Sequence, residues 1–255
     1  MPERSSRIAV LIDSDNVSAE HIGNILRELA KFGTTSIRRM YGDWTADKLR
    51  GWKSAANDFS IQPIQQFAYT TGKNATDSAL IIEAMDLLHQ NDLDAFALVS
   101  SDSDFTRLAS RLRESGKRVF GFGERKTPIP FIKACDVFTY LDVLEDDSTE
   151  ESAEPGASAT PKNSPEKLDS RKLKGDTKLV NLLRAGISAG SDEDGWAGLA
   201  EVGSTIQKQS PEFDSRNWGY AKLSDLINAV GLFEVRKLRG VNGSSHLRAR
   251  IKPKK

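Results

Sequence analysis

The first 141 residues alternate between short apolar segments and longer segments whose apolar residues recur every three or four positions. Segments such as "RIAVLID" and "DAFALVS" are typical of strands buried on both faces. By contrast, "SAEHIGNILRELAKFG" has one apolar helical face between a capping Ser18 and a terminating Gly33. Because parallel strands need long crossover connections, this alternation predicts an α/β fold with a parallel sheet covered by helices on both faces.

The pattern also predicts where each element lies. Strands are expected at residues 7–13, 34–44, 58–70, 94–100 and 117–123, helices at 18–33, 45–57, 75–91 and 104–116, and a last short helix and strand within 130–143. Pro63 cannot donate a ladder hydrogen bond, so it places the third strand at an edge of the sheet. Ligands of such sheets bind beyond the carboxyl ends of the strands, which directs attention to the residues that follow each strand.

The remainder of the chain has a different pattern. Residues 143–170 are acidic, small and proline-bearing with little to bury, which is typical of a disordered linker. Beyond it, helical spacing recurs at 176–190, 195–210 and 217–231, and "LFEVRKLRGVNGSSHLRARI" alternates apolar and basic residues around a turn, as a β-hairpin does. We therefore expect three regions: a first domain at 1–142, a linker at 143–170 and a smaller winged-helix domain at 171–255.

Charge is divided unevenly among these regions, although the formal net charge of the chain is zero. Residues 171–255 hold 16 Lys and Arg against 9 Asp and Glu, whereas 142–170 hold 2 against 9. A basic module behind an acidic tether suggests an anionic polymer as partner, and a solvated basic face is the alternative. No apolar run approaches membrane-spanning length and nothing resembles a signal peptide, so we expect a cytoplasmic protein without a membrane partner.

Polar side chains cluster where the predicted strands end. Asp13 ends the first strand, Asp102 and Asp104 follow the strand at 94–100, Asp77 lies in the first turn of a helix entering from the same edge, and Asn16 lies just past Asp13. They converge if the first and fourth strands are neighbours. Carboxylates are the ligands that Mg²⁺ and Mn²⁺ prefer, and such ions promote phosphodiester cleavage. These acids also have a simpler explanation. Asp102 or Asp104 can cap a helix, and Asp77 can interact favourably with the dipole of the helix whose first turn it occupies.

The N-terminal motifs resemble a known family. "VLIDSDN", "GKNATDSALIIEAMDLL", "LVSSDSDF" and "VFGFGERKTPIPFIKACDVF" occur in this order and are similar to the NYN domain of the LabA-like group, within the PIN-like nucleases. The resemblance implies a Rossmann-like three-layer fold and a metal-dependent ribonuclease with Mg²⁺ or Mn²⁺ as cofactor. It also implies a catalytic site of Asp13, Asn16, Asp77, Asp102 and Asp104, in which the four aspartates bind the metal. Lys73 either meets the scissile phosphate or is solvated.

The C-terminal segment resembles a second family. "FDSRNWGYAKLSDLI" is similar to part of the LOTUS or OST-HTH domain, a small winged-helix module, and this resemblance implies binding to single-stranded or structured RNA. Aromatic and basic groups can stack on bases and contact phosphates, although the aromatic residues can instead pack the small core. The candidate RNA-binding residues are Arg216, Trp218, Tyr220, Lys222, Arg236, Lys237, Arg239, Arg248 and Arg250.

Three hypotheses follow for function. The first is a metal-dependent ribonuclease with a tethered RNA-binding domain. The second is an RNA-binding regulator whose nuclease site is weak or inactive, because fold and function separate readily. The third takes "DSD" in "LIDSDN" as the nucleophile motif of an aspartyl phosphatase, which the later motifs fit less well.

Overall fold

The computed structural model describes residues 5–66, 75–90, 92–144, 167–239 and 245–253. They form two compact units, one N-terminal and one C-terminal. The N-terminal unit contains one six-stranded sheet in the order β3-β2-β1-β4-β5-β6, and every pairing in it is parallel. Its strands are β1 (Arg7–Asp13), β2 (Thr34–Gly42), β3 (Gln62–Gln65), β4 (Ala95–Val99), β5 (Arg118–Gly123) and β6 (Val137–Tyr140).

Five helices cover this sheet on its two faces: α1 (Ile22–Ala30), α2 (Trp52–Asp58), α3 (Ala75–Gln90), α4 (Thr106–Glu114) and α5 (Ile129–Ala134). Successive β1 side chains point to opposite faces, as strand geometry requires. Ile8, Val10 and Ile12 pack with apolar residues of α1 and α2. Ala9 and Leu11 pack with those of α3, α4 and α5. The predicted α/β class is therefore confirmed, and burial on both faces explains why β1 and β4 are continuously apolar.

The strand order creates a switch point beside β1. From β1 the chain proceeds outward through β2 to the edge strand β3 and then returns to β4 on the other side of β1. The expected adjacency of the first and fourth strands is thus confirmed, and so is the edge position of the strand that contains Pro63. At such a point the crossovers on either side diverge and leave a crevice at the carboxyl ends of the two central strands.

Several elements are shorter than the sequence pattern predicts. Ala19–His21, Asp47–Leu49 and Ser103–Phe105 form 3₁₀ turns ahead of their helices rather than α-helix. β3 has four residues instead of the expected thirteen, and residues 67–74, which include Lys73, lie outside the described part of the chain. Apolar spacing alone does not distinguish a 3₁₀ turn from the first turn of an α-helix, which accounts for these differences.

The C-terminal unit is a small helical domain with a three-stranded antiparallel sheet in the order β7-β9-β8. Its elements are α6 (Ser170–Gly175), α7 (Thr177–Ala189), β7 (Ala197–Gly198), α8 (Leu199–Gln209), α9 (Leu223–Val230), β8 (Phe233–Arg239) and β9 (Ser245–Ile251). The expected hairpin is present. The prediction of three helices missed α6, because this short, charged helix has a side-chain cap from Asp169 and buries only Leu173.

Most of the predicted linker cannot be compared with the structure, because residues 145–166 lie outside the described ranges. At its start, Leu141–Val143 is a 3₁₀ turn that packs Leu141 and Val143 into the interior. Among the described helices, none combines the length and the apolar composition that crossing a bilayer requires.

Candidate acidic site

Asp13 occupies the carboxyl end of β1 and is fully buried. Its Oδ2 accepts 2.7 Å hydrogen bonds from Asn16 Nδ2 and Ser100 Oγ. Its Oδ1 is buried and has no hydrogen-bond partner in the described structure. Burial raises the pKa of Asp13, and the bonds from Asn16 and Ser100 oppose that rise. A buried carboxylate with an unpartnered oxygen costs free energy unless a cation or donor compensates it.

Asp77 reaches the same edge from α3. It lies in the first turn of this helix and is buried, with 9% of its surface exposed. Next to it, Thr76 Oγ1 donates a 3.0 Å hydrogen bond to Asp15 Oδ2, which ties the start of α3 to the segment after β1. Thr76 is the second residue of α3, and its hydroxyl is directed to Asp15.

Asp102 and Asp104 follow β4 in a 3₁₀ turn. Asp102 is half-buried and caps this turn, because its Oδ1 accepts a 2.9 Å hydrogen bond from the Asp104 amide. Ser100 Oγ, which donates to Asp13, also accepts a 3.1 Å bond from the Asp102 amide. Asp104 is exposed. The capping role expected as the simpler explanation is therefore real for one oxygen of Asp102, and it leaves Oδ2 available for another ligand.

The structure brings three of these acids into one group. One carboxylate oxygen from each of Asp77, Asp102 and Asp104 lies within 4.8 Å of the other two. Asp13 is not a member of this trio. The pKa of Asp77 is raised to about 6, chiefly by burial and then by the charges of Asp13, Asp102, Asp104 and Asp15. A divalent cation would relieve this repulsion, and an all-oxygen donor set matches hard ions such as Mg²⁺ and Mn²⁺.

Two polar residues of this edge were missed by the sequence reasoning. Asp15 contributes to the potential at Asp77, and Ser100 joins Asp13 to the loop after β4. Asp15 could have been found as the second acid of "DSDN". No periodic pattern identifies Ser100, because its contact with Asp13 depends on β1 and β4 being neighbours. Glu83, also on α3, forms an ion pair with Arg39.

In the C-terminal unit, the candidate RNA-binding residues Arg216, Trp218 and Tyr220 make internal contacts. The Arg216 guanidinium binds the Asp214 carboxylate through Nε and Nη2. Trp218 Nε1 donates to Asp176 at 3.1 Å, and the Trp218 ring packs on Phe213. Tyr220 Oη donates to the Leu168 carbonyl at 2.7 Å. Both aromatic residues therefore pack within the domain, as the alternative explanation expected. They join the segment at 215–220 to residues near the start of the domain, Leu168 and Asp176.

The hairpin candidates differ in how they are engaged. The guanidinium carbons of Arg236 and Arg250 lie 3.9 and 4.8 Å from the centroid of the Trp196 ring. Arg250 also pairs with Glu234, and Arg248 pairs with Asp192. Lys237 on β8 and Lys222 before α9 are exposed. The Arg239 side chain lies outside what the structure describes.

Two family models match the chain. Residues 7–142 match the NYN domain, and residues 170–244 match the OST-HTH/LOTUS domain. No curated protein matches the chain. A crystal structure of a protein of unknown function from Vibrio parahaemolyticus is 19% identical, with a TM-score of 0.47, and the match covers 55% of this chain and 95% of that one. A solution structure of an uncharacterized protein from Nitrosomonas europaea is 31% identical, with a TM-score of 0.28, over 42% of this chain and 93% of that one.

The NYN match assigns the N-terminal unit, with its six-stranded parallel sheet, to the PIN-like nuclease superfamily. The NYN match spans more than half of the chain, so the chain belongs to the NYN domain family. The OST-HTH/LOTUS match assigns the C-terminal unit to a module associated with nucleic-acid binding.

Proposed function

We propose that this protein is a metal-dependent ribonuclease that hydrolyses RNA phosphodiester bonds. The observation that carries the proposal is the trio of Asp77, Asp102 and Asp104, whose oxygens lie within 4.8 Å of one another beside the buried Asp13. Carboxylates this close are stable as a group when a cation neutralises them, and acidic edges of this kind suit phosphoryl chemistry. Membership of the NYN family supports the same conclusion.

The residues present fit a Mg²⁺ or Mn²⁺ ion. Asp77, Asp102 and Asp104 would hold it through their carboxylate oxygens. When bound, such an ion supplies a water activated for attack and stabilises the charge that develops on the phosphate oxygens. The trio comes from α3 and from the loop after β4, so the position of the ion depends on the packing of α3 against the sheet.

Asn16 and Ser100 fix the orientation of the Asp13 carboxylate. Asn16 and Ser100 both donate to Oδ2 of Asp13, which holds the carboxylate in one orientation and leaves Oδ1 free to accept another donor. Because Asp13 is fully buried, it is poorly placed as an exposed nucleophile of the aspartyl-phosphatase kind. We propose that the Asp13 carboxylate orients a water molecule or the ion.

The C-terminal domain would supply affinity for RNA. Lys222 and Lys237 are exposed and suit phosphate contacts, whereas Arg216, Trp218 and Tyr220 support the domain internally. Carrying both domains on one chain raises the local concentration of bound RNA at the acidic edge, so that each domain can bind weakly.

Cleavage of labelled RNA tests the proposal. The full chain is incubated with single-stranded, duplex and structured RNA in Mg²⁺ or Mn²⁺, beside Asp102→Asn and the matched control Asp58→Asn, which changes an exposed acid at the end of α2. We expect cleavage by the wild type and the control and a loss of about 100-fold or more in Asp102→Asn, as when an electrostatic catalytic group is removed. Equal trace cleavage in all three would overturn the nuclease assignment and favour an RNA-binding regulator.

A further inference from the structure

A cavity of about 540 Å³ lies at the β2-β3 side of the NYN unit. The segment after β2, the helix α2 and the start of β3 enclose it, and its walls include Trp44, Leu49, Arg50, Lys53, Asn57 and Ile61. The volume falls within the range of roughly 300–1,000 Å³ that is typical of small-ligand clefts. It can therefore take a group the size of one nucleotide and is too small for a duplex.

Trp44 is held rigidly in the wall of this cavity. Its indole Nε1 donates a 3.0 Å hydrogen bond to the Ile64 carbonyl, and its backbone amide donates a 3.1 Å bond to Gln65 Oε1. Gln65 is fixed in turn by Asp43 through a 2.9 Å bond. Because the only polar group of the indole is already used, Trp44 offers ring surface to the cavity. A ring fixed before binding loses little entropy when it stacks on a base.

The part of the wall that Asp47–Leu49 and α2 contribute carries cations at helical spacing. Arg50, Lys53 and Asn57 follow one another at three and four residues along the turn and helix α2, so they lie on one side of this element. Arg50 pairs with Asp47 at 2.8 Å, but both side chains are more than 80% exposed, so the pair is weak and open to exchange. Lys53 is exposed and has no ion pair among the described residues. A cavity lined by an aromatic ring, a cation and an amide suits a base with its phosphate.

The cavity lies next to the acidic edge. Both Ser14 Cβ and Trp44 Cη2 lie 3.6 Å from the position that a Cβ on Gly42 would occupy. Ser14 directly follows Asp13, and Tyr41 of β2 is the register partner of Asp13. Trp44 therefore lies close to Ser14 at the carboxyl end of β2, on the α2 face of the sheet, and the acids occupy the carboxyl edge of the same sheet. A single strand that crosses this edge from the acids towards α2 would pass Trp44.

We propose that the Trp44 cavity binds one nucleotide of the RNA strand adjacent to the scissile phosphate, with the base on Trp44 and the phosphate on Lys53 and Arg50. This inference rests on the proposed function for the identity of its ligand. It makes the cavity a determinant of how single-stranded RNA is positioned, and it predicts that a duplex, whose bases are paired, is a poorer substrate.

Photocrosslinking in the full chain tests the assignment directly. Single-stranded RNA that contains 4-thiouridine is bound to the Asp102→Asn protein, so that cleavage does not remove the probe, and crosslinked peptides are mapped by mass spectrometry. We expect crosslinks within residues 44–57 and their loss in Trp44→Leu. Trp44→Phe is the matched control, because it also lacks the indole N–H but retains a ring, and it should keep the crosslinks. Melting temperatures establish that the variants are folded.

Steady-state kinetics with Asp102 intact give the second readout. Trp44→Leu and Lys53→Gln should each raise KM for short single-stranded RNA by about fivefold or more with kcat nearly unchanged. Arg111→Gln, which removes an exposed cation of α4 on the other face of the sheet, should have no effect.

The outcomes separate the two proposals. Crosslinks at residues 44–57 without cleavage by the wild type would support the nucleotide site and remove the nuclease assignment. Cleavage without crosslinks there, or equal behaviour of the Leu and Phe variants, would overturn the Trp44 site and leave the nuclease assignment in place. Crosslinks confined to the C-terminal domain would likewise overturn it.

Discussion

The Ser100 hydroxyl donates a 2.7 Å hydrogen bond to Asp13 and accepts a 3.1 Å bond from the Asp102 amide. The two residues that Ser100 joins belong to different strands, because Asp13 ends β1 and Asp102 follows β4. One buried hydroxyl therefore couples the orientation of the buried acid to the loop that carries two members of the acidic trio.

The first prediction concerns this coupling. Ser100→Ala should lower the free energy of unfolding by about 1–3 kcal/mol, because it removes two hydrogen bonds and leaves Asp13 less well satisfied. It should also reduce cleavage without abolishing it. Urea denaturation and cleavage rates measure the two effects. Ser103→Ala, an exposed hydroxyl of the same loop, is the control, and equal effects of the two substitutions would show that Ser100 has no special role.

The second prediction concerns metal binding without reference to activity. Mn²⁺ at about 100 times its Kd should stabilise the native wild type by about 2.7 kcal/mol and raise its melting temperature. Asp102→Asn removes a charged ligand and should lose most of that rise, whereas Asp58→Asn should keep it. Calorimetry or thermal fluorescence measures the shift. The same rise in all three proteins would place the ion elsewhere.

The third prediction is a pH dependence in the metal-free protein. The pKa of Asp77 is about 6 in the folded chain and near its ordinary value of 3.8 when unfolded, so the native state binds the proton more tightly. Stability from this group is present below 3.8 and is lost as the pH rises towards and above 6. Asp77→Asn cannot ionise, so it should be more stable than the wild type at neutral pH by about 1–3 kcal/mol. Urea midpoints in chelator at acidic and neutral pH test this.

Saturating metal should make the wild type more stable than Asp77→Asn at neutral pH, since the ionised Asp77 then binds a cation. A variant that is less stable than the wild type in chelator at neutral pH would contradict the raised pKa.

The fourth prediction separates RNA contact from structural support in the C-terminal domain. The double variant Lys222→Gln and Lys237→Gln should weaken RNA binding and reduce the slope of log affinity against log salt by up to about 2, because each phosphate contact releases a counterion. Its melting temperature should not change. Arg216→Gln should instead lower the melting temperature, since Arg216 is bound bidentately by Asp214. Titration by fluorescence anisotropy at several salt concentrations measures the slope, and an unchanged slope would remove the two lysines from the interface.

Local sequence was sufficient for the elements and for part of the site. Apolar runs and helical spacing identified the six strands and the helices α1, α3 and α4, because burial on known faces imposes these periods. Asp13 could be selected because a charge next to so apolar a strand has few structural reasons to be there, and Asp102 and Asp104 because they were expected at the same edge of the sheet. The helix α6 and the cavity beside Trp44 could not be selected, since a short charged helix has no period and a cavity depends on side chains from three separate segments.

The sequence by itself determined that this is an α/β protein with acids after its strands and a basic helical module at its other end, because those properties follow from residue type and spacing along the chain. Only the tertiary structure decided that β1 and β4 are neighbours, that Ser100 bonds Asp13, and that Asp77 joins Asp102 and Asp104. It also decided that Trp218 and Tyr220 form hydrogen bonds within their own domain. These contacts join residues far apart in the chain, and their energies depend on burial and distance, which no local pattern encodes.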